Sequence, residues 1–218
     1  LANLQQAMQV LLGGRRGLLI EAAARRVPAI EAALPAERVR YPWAGHLGLS
    51  QLPTVLTRVL SARTALVFTN TRSQAELWFE ALSAVWPLDE DTLALHHGSL
   101  ARELRQQVEE GLRAQRLRCV VATSTLDLGV DFPAVDVVIQ IGSPKGVARL
   151  LQRSGRSGHQ PDRQSQLCLI ATHALELLEV AAAREALASG VSEAREPLRN
   201  CLDVLAQHLV TLALGGGY

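Results

Sequence analysis

The chain has 218 residues, of which 48% are apolar and 20% charged, and a formal net charge of +1. That is enough apolar material for a packed core and excludes a disordered chain, while a charge this close to zero neither requires nor excludes a polyanionic partner. No stretch has the length of a membrane span, no signal peptide opens the chain, and three scattered cysteines, two of them in apolar strand-like runs, read as buried thiols in a reducing compartment rather than metal ligands.

The first 63 residues lack a clear repeat of elements. "RRGLLIEAAA" (15–24) reads as a strand or short helix, and "LPAERVRYPWAGHLGLSQLP" (34–53) is rich in turn formers, so residues 1–53 are expected to be a connector packed on a domain. "TVLTRVLSAR" (54–63) is a helix leading into that domain. From Thr64 onward the pattern alternates. Strands are expected at 64–70, 92–97, 118–124, 136–142 and 165–171, and helices at 73–86, 100–115, near 146–154 and at 173–188. Continuous apolar strands between amphipathic helices predict an α/β fold with a mostly parallel sheet covered by helices on both faces. The tail 200–214 places Leu202, Leu205, Leu209 and Leu212 on one helical face and is expected to open a further domain from about residue 191. Leu1 is not a methionine and "GGGY" stops in mid-pattern, so the chain reads as part of something longer.

In parallel sheets ligands bind beyond the carboxyl ends of the strands. Four polar stretches follow strands here: "TNTR" (69–72), "HHGS" (96–99), "ATSTLDLGVD" (122–131) and "GSPKG" (142–146). Asn70, Thr71 and Arg72 suit a nucleic-acid backbone, through hydroxyls and helix N-terminal amides, or Thr71 or Ser73 simply caps the helix. Gly98 and Ser99 fit a phosphate turn or a cap equally well. His96 and His97 are adjacent on a strand and so face opposite ways, which argues against a shared metal. Thr123, Ser124 and Thr125 offer donors to a phosphodiester, and Asp127 or Asp131, flanking Gly129, can accept from a ribose hydroxyl. The plain alternative is a strand-to-helix turn with a capping box. Finally, "QRSGRSGH" (152–159) carries two arginines, suited to two-pronged phosphate contact, yet no G-x-x-x-x-G-K-[ST] loop occurs anywhere. A helix ending near Ser154 with Gly155 as a left-handed cap would project Gln152, Arg153 and Arg156 together, and two such guanidinium groups repel unless an anion lies between them.

Taken in order, "LVFTNTRSQAE", "LHHGSLARELR", "VVATSTLDLGVDFPAVDVVIQIGSP" and "QRSGRSGH" resemble the successive motifs of the second RecA-like lobe of superfamily 2 helicases. The "GH" ending and the upstream "YPWAGHLG" resemble the large helicase-related group, most closely its bacterial ligase-associated DEXH-box DNA helicases. The resemblance implies an ATP-dependent DNA translocase or helicase, 3′ to 5′ and linked to DNA repair. ATP and Mg²⁺ would be held mainly by a first RecA-like lobe in cis, just past whose "SAT" motif Leu1 would begin. This lobe would supply Arg156 as the arginine finger, with Gln152 and Arg153 ordering the interface or contacting phosphate. Gly129 and Asp131 would position ribose and water. Asn70, Thr71, Arg72, Gly98, Ser99, Thr123 and Ser124 would line the DNA track. His159 stands where many relatives have arginine. Residues 54–190 would form the lobe and 191–218 the start of a winged-helix domain. Expected partners are single-stranded DNA, or a duplex with a 3′ tail, and a DNA ligase or nuclease of a repair cluster, in the bacterial cytoplasm at the nucleoid. A non-catalytic nucleic-acid-binding or interaction module derived from such a lobe is the competing reading.

Overall fold

In the computed structural model the described residues are 3–13, 15–20, 28–34, 48–127, 133, 135–143, 145–157, 165–191, 193 and 200–216. The chain divides into two compact units, Ala22–Ser192 and a smaller one formed by Leu1–Glu21 with Glu193–Tyr218.

Among the described residues the larger unit has six strands, β1 (Ala29–Ala33), β2 (Ala65–Phe68), β3 (Leu93–His96), β4 (Cys119–Ala122), β5 (Val137–Ile141) and β6 (Gln166–Ile170), in the order β1-β6-β5-β2-β4-β3. Every pairing is parallel. β2, β4 and β5 are buried throughout, which is why they read as unbroken apolar runs. Their side chains still alternate between two cores. Ala65 and Val67 meet Val55 and Val59 of α2 (Leu52–Ser61) and Ala75, Trp78 and Leu82 of α3 (Arg72–Ser83). Leu66 and Phe68 point the other way, toward Leu112 of α4 (Arg102–Arg113), Leu150 of α5 (Val147–Ser154) and Val180 and Leu187 of α6 (Ala174–Ala188). The expected parallel sheet with helices on both faces is therefore what forms. Cys119 and Cys168 lie in it, and burial raises both thiol pKa values, that of Cys168 to about 11.

The N-terminal region departs from expectation. It does not merely pack on the sheet: β1 is its edge strand, in register with β6 from Ala29↔Gln166 to Ala33↔Ile170. "AIEAA" carries little intrinsic strand preference, so the ladder along β6 holds it there, with the exposed Arg58–Glu31 ion pair to α2 alongside. Residues 15–20 of the run read as a strand or short helix form neither, and 21–24 lie outside the described residues.

In the smaller unit, α1 (Leu4–Leu12) starts at Asn3, whose side chain accepts from the Gln6 amide. The expected tail helix is α7 (Leu202–Leu214), with Leu202, Leu205 and Leu209 exposed. No described helix is long and apolar enough to cross a membrane.

Candidate functional site

β2, β4 and β3 are neighbours, so the loops leaving their carboxyl ends lie side by side. They bring together Asn70, Thr71 and Arg72, then Thr123 and Ser124, then Gly98 and Ser99. Local bonds fix these loops. Thr71 Oγ1 accepts from the Gln74 amide at 3.2 Å and caps α3. The Asn70 amide side chain donates to the Ser143 carbonyl at 2.9 Å, tying the β2 loop to the β5 loop. Ser143 in turn donates its amide to Glu176, which also accepts from the Thr172 amide and hydroxyl, each at 2.7 Å. Glu176 therefore joins the ends of β5 and β6, a part that the sequence reading missed. Its position three residues past the His173 N-cap is the capping-box place for a glutamate, but His173 hid the box.

Arg72 is exposed and donates from Nε to Glu76 at 2.8 Å, which holds the Glu76 carboxyl below its usual range. His96 and His97 face opposite ways, as strand geometry requires. His96 Nδ1 lies 2.7 Å from Thr125 Oγ1 and its Nε2 lies 3.4 Å from Glu109, whereas His97 Nε2 lies 3.4 Å from Glu76. Burial lowers the His96 pKa, with Glu109 opposing the shift. The Ser99 amide donates to His97 Nδ1 at 3.3 Å, and the Thr123 amide to the His96 carbonyl at 3.2 Å. Ser99 and Ser124 are exposed, as is Gly98, whose nearest neighbour for an added Cβ is a Thr125 methyl at 3.8 Å. Trp78 is fully buried, and Trp86 turns its ring nitrogen to Thr92 at 3.2 Å, so neither offers a free face for a base. Trp43 lies outside the described residues.

The arginine motif is arranged differently. After α5 the chain passes to the amino edge of the sheet, where Val135 donates to the Arg156 carbonyl at 2.9 Å and Ser157 bridges to Val135 ahead of β5. Gly155 is right-handed, with φ −62°, so the expected left-handed cap is not formed; the turn closes instead with the Gly155 amide on the Leu151 carbonyl at 3.0 Å. Gln152 is exposed, Arg156 half-buried and Arg153 only 1% exposed. The Arg153 guanidinium donates to both carboxylate oxygens of Asp127, at 2.8 and 3.3 Å, and to Gln140 Oε1, and lies 4.5 Å from the Phe68 ring centre. Burial lowers its pKa and Asp127 opposes that. Arg156 donates from Nη2 and Nε to the main-chain oxygen of the same Asp127, at 2.9 and 3.3 Å.

Asp127 thus serves both arginines, its carboxylate facing Arg153 and its main-chain oxygen facing Arg156. Asp127 was read as a ribose acceptor or the acid of a capping box. Its carboxylate is spent on Arg153 instead, and the short turn Ser124–Leu126 has no side-chain cap. Gln140 was missed too, although a lone polar residue in the buried run "VVIQI" must find a partner. Gly129, Asp131 and His159 lie outside the described residues. Among the described residues no group of three His, Cys, Asp or Glu could hold a metal ion.

A six-stranded parallel sheet in this order, with helices on both faces, is a RecA-like lobe. Residues 49–160 match the helicase conserved C-terminal domain, and residues 185–218 match the winged helix domain of large helicase-related protein. The chain belongs to the helicase conserved C-terminal domain family, as a superfamily 2 lobe of the large helicase-related (Lhr) type. It is 35% identical to the ATP-dependent helicase Lhr-Core of Methanocaldococcus jannaschii over 97% of its length and 25% of the relative's. It is 48% identical to the Lhr helicase/probable uracil glycosylase of Mycolicibacterium smegmatis over 54% of its length and 8% of the relative's. The structure of Mycobacterium smegmatis helicase Lhr bound to ssDNA and AMP-PNP superposes with a TM-score of 0.84 at 33% identity, covering 94% of this chain and 27% of that one. The chain thus spans about a quarter of the length, or less, of these relatives.

Proposed function

We propose that this lobe works in an ATP-dependent DNA translocase and helicase, 3′ to 5′ in direction and used in DNA repair. The observation that carries this reading is the half-buried Arg156, fixed on Asp127 at the turn after α5 in a chain with no phosphate loop of its own. A lobe that offers an oriented guanidinium without a nucleotide cradle suits half of a cleft, closed by a first RecA-like lobe in cis. The likeness to a helicase solved with ssDNA and AMP-PNP supports the same reading.

Bound ATP would bring the γ-phosphoryl group, with Mg²⁺ held by the other lobe. Arg156 stabilises the charge that gathers on the phosphoryl oxygens, and such fingers are worth ~10³ or more in rate. Gly129 and Asp131 would position ribose and water, and Gln152 would face the cleft. Asn70, Thr71, Arg72, Gly98, Ser99, Thr123 and Ser124 would hold the phosphodiester backbone of single-stranded DNA or of a duplex 3′ tail. They are polar and placed on neighbouring strand ends, so they would position DNA without reading its sequence. In domain terms, 1–53 would connect from the first lobe, 54–190 form the motor lobe and 191–218 begin a winged-helix domain. A bacterial setting at the nucleoid, with a DNA ligase or nuclease as partner, belongs to the same proposal.

The test is phosphate release. The full-length protein should hydrolyse ATP with stimulation by single-stranded DNA, and this chain alone should not. DNA-stimulated turnover by the chain alone would contradict the half-cleft. A full-length protein that binds DNA without hydrolysing ATP would favour an interaction module.

A further inference from the structure

We infer that Asp127 is a positioning residue for Arg156, and that Arg153 acts through Asp127 rather than on phosphate. This rests on the reading of Arg156 as the arginine that reaches ATP. Arg153 is enclosed: both oxygens of the Asp127 carboxylate, Gln140 Oε1 and the Phe68 ring take up its donors and its face. Swinging it out to a nucleotide would leave a carboxylate with 8% side-chain exposure facing, among the described residues, Arg149, 3.7 Å away and itself 41% exposed. Breaking a buried pair in this way is strongly unfavourable. Arg153 is therefore built to stay.

What it holds in place is the residue that aims Arg156. The Asp127 carboxylate is gripped by Arg153, the Asp127 amide donates to the Ser124 carbonyl at 3.1 Å, and the Asp127 carbonyl takes two donors from Arg156. Asp127 continues the turn in helical conformation, φ −63° and ψ −40°, which directs its carbonyl at the Arg156 fork. Gln140 completes the support from β5: its Oε1 accepts from Arg153 while its Nε2 donates to the Ile141 carbonyl at 2.8 Å.

The experiment is a double-mutant cycle in the full-length protein, reading kcat and KM for ATP in the presence of single-stranded DNA. Asp127→Asn should lower kcat by ~10², the loss expected for a catalytic group misplaced by about 1 Å, with little change in KM. Combined with Arg156→Ala it should add nothing further to the loss from Arg156→Ala alone, because Asp127 acts only through Arg156. Asp127→Asn removes the counter-charge of a buried guanidinium, so Arg153→Lys is run in the same cycle: it keeps a positive charge opposite Asp127 and loses the fork, and should show the same non-additivity. Losses that multiply in both cycles would mean a general structural role and would overturn the inference while leaving the finger intact. Undiminished turnover in Arg156→Ala would instead overturn the finger.

Discussion

The loops on the carboxyl edge and the cluster at the end of α5 both use arginine, in opposite ways. Arg72 is exposed and its partner Glu76 is a flexible, solvated carboxylate one helical turn away. Such a pair is worth little and exchanges readily, so the guanidinium can leave Glu76 for a phosphodiester. Arg153 is enclosed and its carboxylate comes from a distant loop, so it cannot leave without exposing the fold to a buried charge. Arg156 stands between these cases, half-buried and held by a carbonyl. The difference teaches that solvent access, more than residue type, decides whether an arginine serves a ligand or the fold.

The strongest way to break this comparison is Arg156→Ala in the full-length protein. Turnover should fall by ~10³ with DNA affinity retained, measured by steady-state hydrolysis and by fluorescence anisotropy on single-stranded DNA. Loss of DNA binding instead would place the α5 end in the DNA track. Arg153→Ala comes next. It leaves Asp127 buried opposite a void and should cost this chain about 3 kcal/mol in stability, read from the midpoint of urea unfolding. A midpoint close to wild type would show that Arg153 is not part of the fold's support. Arg72→Ala should weaken DNA binding to a similar extent on unrelated sequences and reduce the slope of log affinity against log salt by about one; selectivity for one sequence would argue for base contacts. The smallest effect concerns pH. Because burial lowers the His96 pKa, the unfolded chain binds a proton at His96 that the folded chain refuses as pH falls through the unfolded value of about 6.5. The His96 contribution to stability is therefore full above that pH and declines below it. Unfolding midpoints between pH 5 and 8 should show this decline, and His96→Gln should flatten it.

Periodicity and residue type sufficed for most of the lobe. The runs "TALVFTN", "RCVVATS" and "DVVIQIG" are apolar enough to be buried on both faces, and only a parallel sheet under two helical layers buries them so. Motif order was legible too, and it led to the family that residues 49–160 match. β1 was not legible, because "AIEAA" gains its strand conformation from the ladder along β6 and hardly at all from its own residues.

What the sequence by itself determined, then, is the parallel sheet, the family, and the polar loops that follow β2, β3 and β4, since apolar runs and strand ends are local properties of the chain. Tertiary structure alone decided how the charges pair. Asp127 and Arg153 are 26 residues apart, Gln140 and Arg153 are 13 apart, and Glu176 and Ser143 are 33 apart. No local pattern relates such partners. They meet because the sheet order sets β6, β5, β2 and β4 side by side, and burial then requires each charge to find whatever group the fold has placed opposite it.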